Sequence, residues 1–327
     1  MKRLATILLV TVLAFVSAEA LELTRGNLKL ELFDRSARFL VSFQTEEGWQ
    51  PLLFPNDPRT SAIDILEANQ VHRMGDSGRF SQRIETTQYG PEFVWESPTL
   101  LVRQRFSFIR GRLSTTFDGL EIEVVVENKA EISQELGVRL LYDTYLGEQS
   151  GDHFYVSGTQ PIAAEQVLPE GAPFVTSSRG SDATFGFQLV LDDSAITKPA
   201  NVYVANWRRL TESAWDFSIN PQRNFNRLPY SINDSAILVV YPSRVVEQGG
   251  TYRTVTRIGN LAPEGYVSPA VALETTEGAS VNASLLARLA TVIDEIAALS
   301  LQETIRLEEI RALQNELNAI RELVNDR

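Results

Sequence analysis

The densest set of chemically capable side chains is Asp143-Thr-Tyr-Leu-Gly-Glu148-Gln-Ser-Gly-Asp152-His153-Phe154. Asp143, Glu148 and Asp152 on one loop, followed by an imidazole, could move protons or hold a cation. The spacing is not that of an EF-hand, and one histidine supplies no metal triad. The same carboxylates are equally suited to side-chain-to-backbone bonds that pin a wide loop at a sheet edge. The other histidine, His72, lies in Gln70-Val-His-Arg-Met-Gly-Asp76 and would have to meet His153 in space to build a site. No catalytic set, cofactor or metal is expected from this inventory, and the chain reads as a non-enzyme.

A second cluster is aromatic. Trp207, Trp215, Phe217, Phe225 and Tyr230 alternate with Arg208, Arg209, Arg223, Arg227, Asn224 and Asn226. Flat rings beside planar polar groups suit a glycan, whose C–H faces stack while its hydroxyls need fork-like donors. The candidate platform is Trp207, Trp215, Arg227 and Tyr230, although both tryptophans are equally good core anchors under a long loop.

The elements that must position these groups are strands. Leu28 to Phe33, Arg38 to Phe43, Thr99 to Ile109, Leu120 to Glu127, Leu136 to Tyr142, Thr184 to Leu191, Val202 to Asn206, Ala236 to Tyr241 and Tyr252 to Ile258 alternate or are β-branched between turn signals. Asp118-Gly119 reads as a tight turn before Leu120. No helix-length amphipathic pattern falls between the strands, which excludes a doubly wound α/β fold. The expected fold is mainly β, a large antiparallel sandwich of two big sheets over residues 21–260. Pro263, Gly265, Pro269 and Gly278 mark residues 261–281 as a linker.

Residues 282–327 read as one long helix, capped by Asn282 or Ser284 and roughly 65 Å long at 1.5 Å per residue. Leu289, Val292, Ile296, Leu299, Ile310, Leu313, Leu317, Ile320 and Val324 form a narrow seam at steps of three and four, the pattern of a coiled coil. Glu303 and Arg306 fall on seam positions, so the stripe breaks register or rotates there. The seam suits self-association or a partner helix. It would also suit packing on a β domain, or a long helix ordered by another protein.

Lys2 and Arg3 precede an apolar run from Leu4 to Val16 and then Ala18-Glu19-Ala20, so residues 1–20 are expected to be a cleaved secretory signal. No later segment suggests membrane insertion. The chain has 327 residues, 43% of them hydrophobic, and no cysteine, which leaves burial alone to stabilise an exported protein. A net charge of −12 argues against nucleic acid as a partner. The periplasm is the expected location.

Val138-Arg-Leu-Leu-Tyr-Asp-Thr-Tyr-Leu-Gly-Glu148, Gly151-Asp-His-Phe154, Val204-Ala-Asn-Trp207, Asn233-Asp-Ser-Ala-Ile237 and Gln248-Gly-Gly-Thr-Tyr-Arg-Thr-Val-Thr-Arg-Ile-Gly259 together resemble a β-sandwich module of extracytoplasmic bacterial proteins. The resemblance covers about residues 22–260. The module is similar in turn to the supersandwich of aldose-epimerase-like proteins, which use a catalytic Glu with histidines. That set has no residue-by-residue counterpart here.

The expectation is an exported periplasmic structural or assembly subunit. Its β-sandwich would engage an envelope partner, a periplasmic flagellar structure being one specific form, and its C-terminal helix would oligomerise or dock. The alternatives are a carbohydrate-binding module or an aldose-epimerase-like sugar-active enzyme.

Overall fold

Alternation along single strands sets up the core. In Gly119–Asn128, Leu120, Ile122, Val124 and Val126 are buried while Glu121, Glu123, Val125 and Glu127 alternate with them and are half-buried, so one face of the strand is apolar and the other mostly charged. The structure, a computed structural model, describes residues 20–267 apart from 88–89, 150 and 181–182. The expected signal sequence, up to residue 19, and the expected helix at 282–327 with its Leu289 to Val324 seam lie outside the described residues.

Three antiparallel sheets make up the body. The largest has ten strands in the order Gln160–Ile162, Phe154–Val156, Phe174–Ser178, Gly186–Val190, Thr251–Gly259, Gly119–Asn128, Leu100–Gly111, Gly90–Glu96 and Ser81–Thr87, with Tyr266–Val267 paired to the end of Leu100–Gly111. The second has seven, in the order Gln166–Val167, Asn201–Asn206, Ser235–Val240, Gln134–Thr144, Ala62–Glu67 and Gln70–Arg73, with Arg244–Val246 also on Gln134–Thr144. The third is a four-stranded meander, Leu21–Arg25, Leu28–Phe33, Arg38–Thr45 and Gly48–Pro51. One continuous core takes side chains from all three, among them Leu30 and Val41, Phe93 and Phe187, and Val138 and Ile237. The protein is therefore mainly β and antiparallel, as a sandwich requires.

Each of the nine expected strands is present, with ends shifted by a few residues. Three expectations change. The four-stranded meander adds a third sheet to the two expected. Asp118-Gly119 is not a two-residue turn, because the connection runs over residues 112–118 and the Asp118 carboxylate closes it by accepting the Gly111 N–H at 2.6 Å. Gly119 is already in its strand, where a Cβ would lie 2.6 Å from the Tyr266 ring. Nor does the linker begin at residue 261. Ala262 and Tyr266 are buried against Ile109 and Val190, and Tyr266 faces Gly111 in register, so the packed body runs through Val267.

The outer sheet faces are covered in two different ways. On the seven-stranded sheet, Leu141, Ala205, Ala236 and Leu238 are buried under Leu210, Trp207, Trp215 and Phe217. Arg139 fixes that cover. It pairs with buried Asp64 at 2.8 Å and donates to the carbonyls of Ala214 at 2.6 Å and Trp215 at 3.2 Å. The Trp215 ring lies so close that a Cβ on Gly137 would come within 2.7 Å of it. On the ten-stranded sheet the outer face instead carries a ladder of charge, in which Arg105 sits opposite both Glu92 and Glu123 and bonds each.

Candidate functional site

Two features of this body have the chemistry of a site. The first is a cluster of carboxyls at one end of the seven-stranded sheet. Asp143 is the penultimate residue of Gln134–Thr144, and Asp143 pairs with Ala236 on the neighbouring strand. Asp234 lies just before that strand, two residues from Ala236. Glu148 arrives from the short 3-10 turn Leu146–Gln149 that follows directly, and its Oε1 accepts the Ser235 N–H at 2.9 Å. Carboxylate oxygens of the three residues all lie within 4.8 Å of one another.

Asp143 is 5% exposed, while Glu148 and Asp234 are half-buried. Burial pushes Asp143 up to about 7 and Glu148 to about 8, and raises Asp234 as well; the negative charge of the neighbouring carboxyls adds to the rise of the first two. Among the described residues, no lysine, arginine or histidine forms an ion pair with any of the three.

Of the expected loop set, Asp143 and Glu148 meet and Asp152 and His153 do not join them. Asp152 instead accepts the Tyr155 hydroxyl at 3.3 Å. His153 is 4% exposed with its ring centroid 4.3 Å from that of Phe225, its Nδ1 has no hydrogen-bond partner, and burial drops its pKa to about 4. His72 lies apart, its Nε2 3.1 Å from Glu67 and its ring against Phe80. The third member of the cluster, Asp234, came from 91 positions downstream of Asp143 and only strand register brings it there. Its signal in the sequence was the Asn233-Asp-Ser-Ala-Ile237 stretch opening a strand.

The expected aromatic platform divides. Trp207 and Trp215 are half-buried covers of the sheet, and the Trp207 indole N–H donates to the Thr60 carbonyl at 2.8 Å. Arg227 and Tyr230 lie further out. Tyr230 is 65% exposed, with the guanidinium carbons of Arg208 and Arg227 at 4.9 and 5.8 Å from its ring centroid. Buried Asn206 ties the base of this long loop by donating to the carbonyls of Phe225 and Asp234, each at 3.0 Å. The four residues therefore do not form one stacking face.

The second feature is a surface cleft of about 650 Å³ between the Arg38–Thr45 and Gly48–Pro51 hairpin and the connection from Phe174–Ser178 to Gly186–Val190. Phe43 and Phe185 line it as a stacked pair, with centroids 6.2 Å apart and planes at 23°. Gln50 sits directly opposite Phe43 in register, on the same face, and Gln44, Thr45, Glu46, Glu47, Arg179 and Thr184 complete the polar lining. Sequence reasoning passed over both rings because each stands at the end of an expected strand. Both rings also pack against the rim of the core, so their positions in the sequence do not mark them as lining a cleft.

Tyr145 connects the two features. Its hydroxyl donates to the Pro51 carbonyl at 3.1 Å, it feels the positive charge of Arg179, and it directly precedes the turn that carries Glu148.

No family model matches the chain, and no curated protein matches it in sequence. Solved structures resemble it in outline. A polysaccharide lyase aligns at 11% identity and a TM-score of 0.43 over 73% of this chain, the matched part being 33% of the lyase's own length. A galactose mutarotase related enzyme from Lactobacillus acidophilus aligns at 10% identity and 0.45 over 76% of this chain and 100% of that one. A galactose mutarotase-like protein from Lactobacillus casei aligns at 9% identity and 0.48 over 74% of this chain and 100% of that one. At such identities the likeness reaches no further than the broad arrangement of strands.

Proposed function

We propose that the β body is a carbohydrate-binding module acting outside the cytoplasm, and that the chain beyond it enters an assembly through the seam from Leu289 to Val324. The observation that carries the first half is the stacked Phe43 and Phe185 pair in the wall of a 650 Å³ cleft. A sugar ring presents an apolar C–H face and a rim of hydroxyls. Rings set nearly parallel offer the first a surface, and the amides of Gln44 and Gln50 with the Arg179 guanidinium offer the second both donors and acceptors. A cleft of this size takes a mono- or disaccharide unit of a longer chain.

The test is titration calorimetry of the purified chain against neutral oligosaccharides and peptidoglycan fragments. The reading expects binding to at least one, weakened about 10-fold or more by Phe185→Ala, which is about 1.4 kcal/mol of stacking. Absence of binding across the panel by a folded chain would overturn it. So would binding that survives removal of both rings.

A further inference from the structure

The lining of the Phe43 and Phe185 cleft is sorted by charge along its length. Its hairpin wall runs from the pair Ser42 and Pro51 through Phe43 and Gln50 to Thr45 and Gly48, and the turn Glu46-Glu47 closes it. At the Pro51 end the Tyr145 hydroxyl donates to the Pro51 carbonyl, and the Arg179 guanidinium stands near enough for its positive charge to act on that hydroxyl. At the turn end are the carboxylates of Glu46 and Glu47, which line the same cleft. Three strand steps separate Pro51 from Gly48, which sets the two ends about 10 Å apart. The aromatic pair and the Gln50 amide lie between them.

Neither end is neutralised by the protein. Arg179, Glu46 and Glu47 are all exposed, and among the described residues none of the three has an ion-pair partner. Elsewhere this fold pairs such groups, as where Arg105 meets both Glu92 and Glu123. Across about 10 Å, more than a Debye length of about 8 Å in physiological salt, the two ends are screened from each other. Each is left to act on whatever lies against it.

A neutral sugar on the rings would leave both charged ends to water. A sugar acid would satisfy the guanidinium, whose planar fork matches a carboxylate, but would give the two glutamates nothing. A ligand with a carboxylate at one end and an ammonium at the other meets its complement at both. We propose that the cleft selects a zwitterionic glycan, an amino sugar joined to a uronic acid, with its carboxylate on Arg179, its ammonium on Glu46 and Glu47, and a ring face on Phe43 and Phe185. This rests on the glycan reading and adds to it the charge of the ligand.

The test is calorimetry of the purified full chain at about pH 6, where a sugar amine is charged and glutamates are ionised. Four disaccharides are compared: a free-amine hexosamine joined to a uronic acid, its N-acetylated form, its carboxyl-reduced form, and the neutral form with both changes. The zwitterion is expected to bind about 10-fold or more tighter than the neutral form, with each single change losing part of that gap. High salt narrows the gap. Arg179→Gln, and Glu46→Gln with Glu47→Gln, each bring the ratio of zwitterion to neutral affinity close to one, whereas Phe185→Ala weakens all four ligands together. Circular dichroism checks the fold of each variant. Equal binding of all four, or a preference that survives both sets of charge substitutions, overturns the proposal and leaves the glycan reading standing. Binding of none of the four also overturns it, and the glycan reading falls with it only if the wider panel of neutral oligosaccharides and peptidoglycan fragments is silent too.

Discussion

Asp143 and Glu148 hold their protons far above the pH at which an unfolded chain would lose them. Burial pushes the first to about 7 and the second to about 8, against roughly 4 for both when solvated. Between those values the folded chain binds more protons than the unfolded one, so the contribution to stability is complete below about pH 4 and is lost as pH rises through 7 and 8. His153 works in the opposite sense. Its imidazole is held down to about 4, so the unfolded chain takes up the proton first and stability falls as pH drops from about 6.5 toward 4. Urea denaturation in the presence of a chelator should show the parent losing stability from pH 5 to pH 8.5. Asp143→Asn should lose less, by on the order of 2 kcal/mol; an unchanged slope would contradict the assignment. Asp143 and Glu148 could be singled out in the sequence because they are near neighbours on one loop. Asp234 could not, because the pairing of Thr144 with Ser235 brings it in and a single sequence does not state which strands pair.

At the scale of the element, the central strands were the legible ones. From Leu120 to Glu127, Gly119–Asn128 alternates buried and half-buried residues, with Glu121, Glu123 and Glu127 on the charged face and only Val125 breaking the apolar-to-charged alternation. Ala62–Glu67 is buried on both faces and carries Asp64 and Glu67 inside, tolerable only through arginines from other elements, so its pattern reads as broken. Ser81–Thr87 is a polar edge strand with Ile84 as its one large apolar side chain, which gives periodicity little to detect. The ladder itself can be tested. Glu92 is 1% exposed between Arg103 and Arg105, so Glu92→Ala should cost about 2 kcal/mol in a denaturant titration. Arg253, at the outer end with a side chain 61% exposed, should cost no more than about 0.5 kcal/mol as Ala. Equal losses would mean that the ladder is solvated throughout.

For the whole molecule, composition indicates that the chain can build a large core, but not where the packed body stops. Pro263 and Gly265 look like linker residues, yet Gln188 bonds the Ala262 N–H and carbonyl at 2.9 and 2.7 Å and Tyr266 is 1% exposed. A chain ending at residue 269 should therefore unfold as one cooperative unit, and one ending at 259 should be less stable by about 3–5 kcal/mol. Light scattering of the first beside the full chain tests the seam: a monomer against a defined oligomer is expected, and equal masses would remove self-association. The position of Thr251–Gly259 in the ten-stranded sheet carries a further consequence. This last long strand lies between Gly119–Asn128 and Gly186–Val190, at the middle of the sheet. While the polypeptide is still being made, the gap it will fill leaves two open strand edges with unpaired amides and carbonyls. The sheet cannot close until residue 259 has emerged, so this β body stays open for almost its entire length and then closes late, as a zip does on its final tooth.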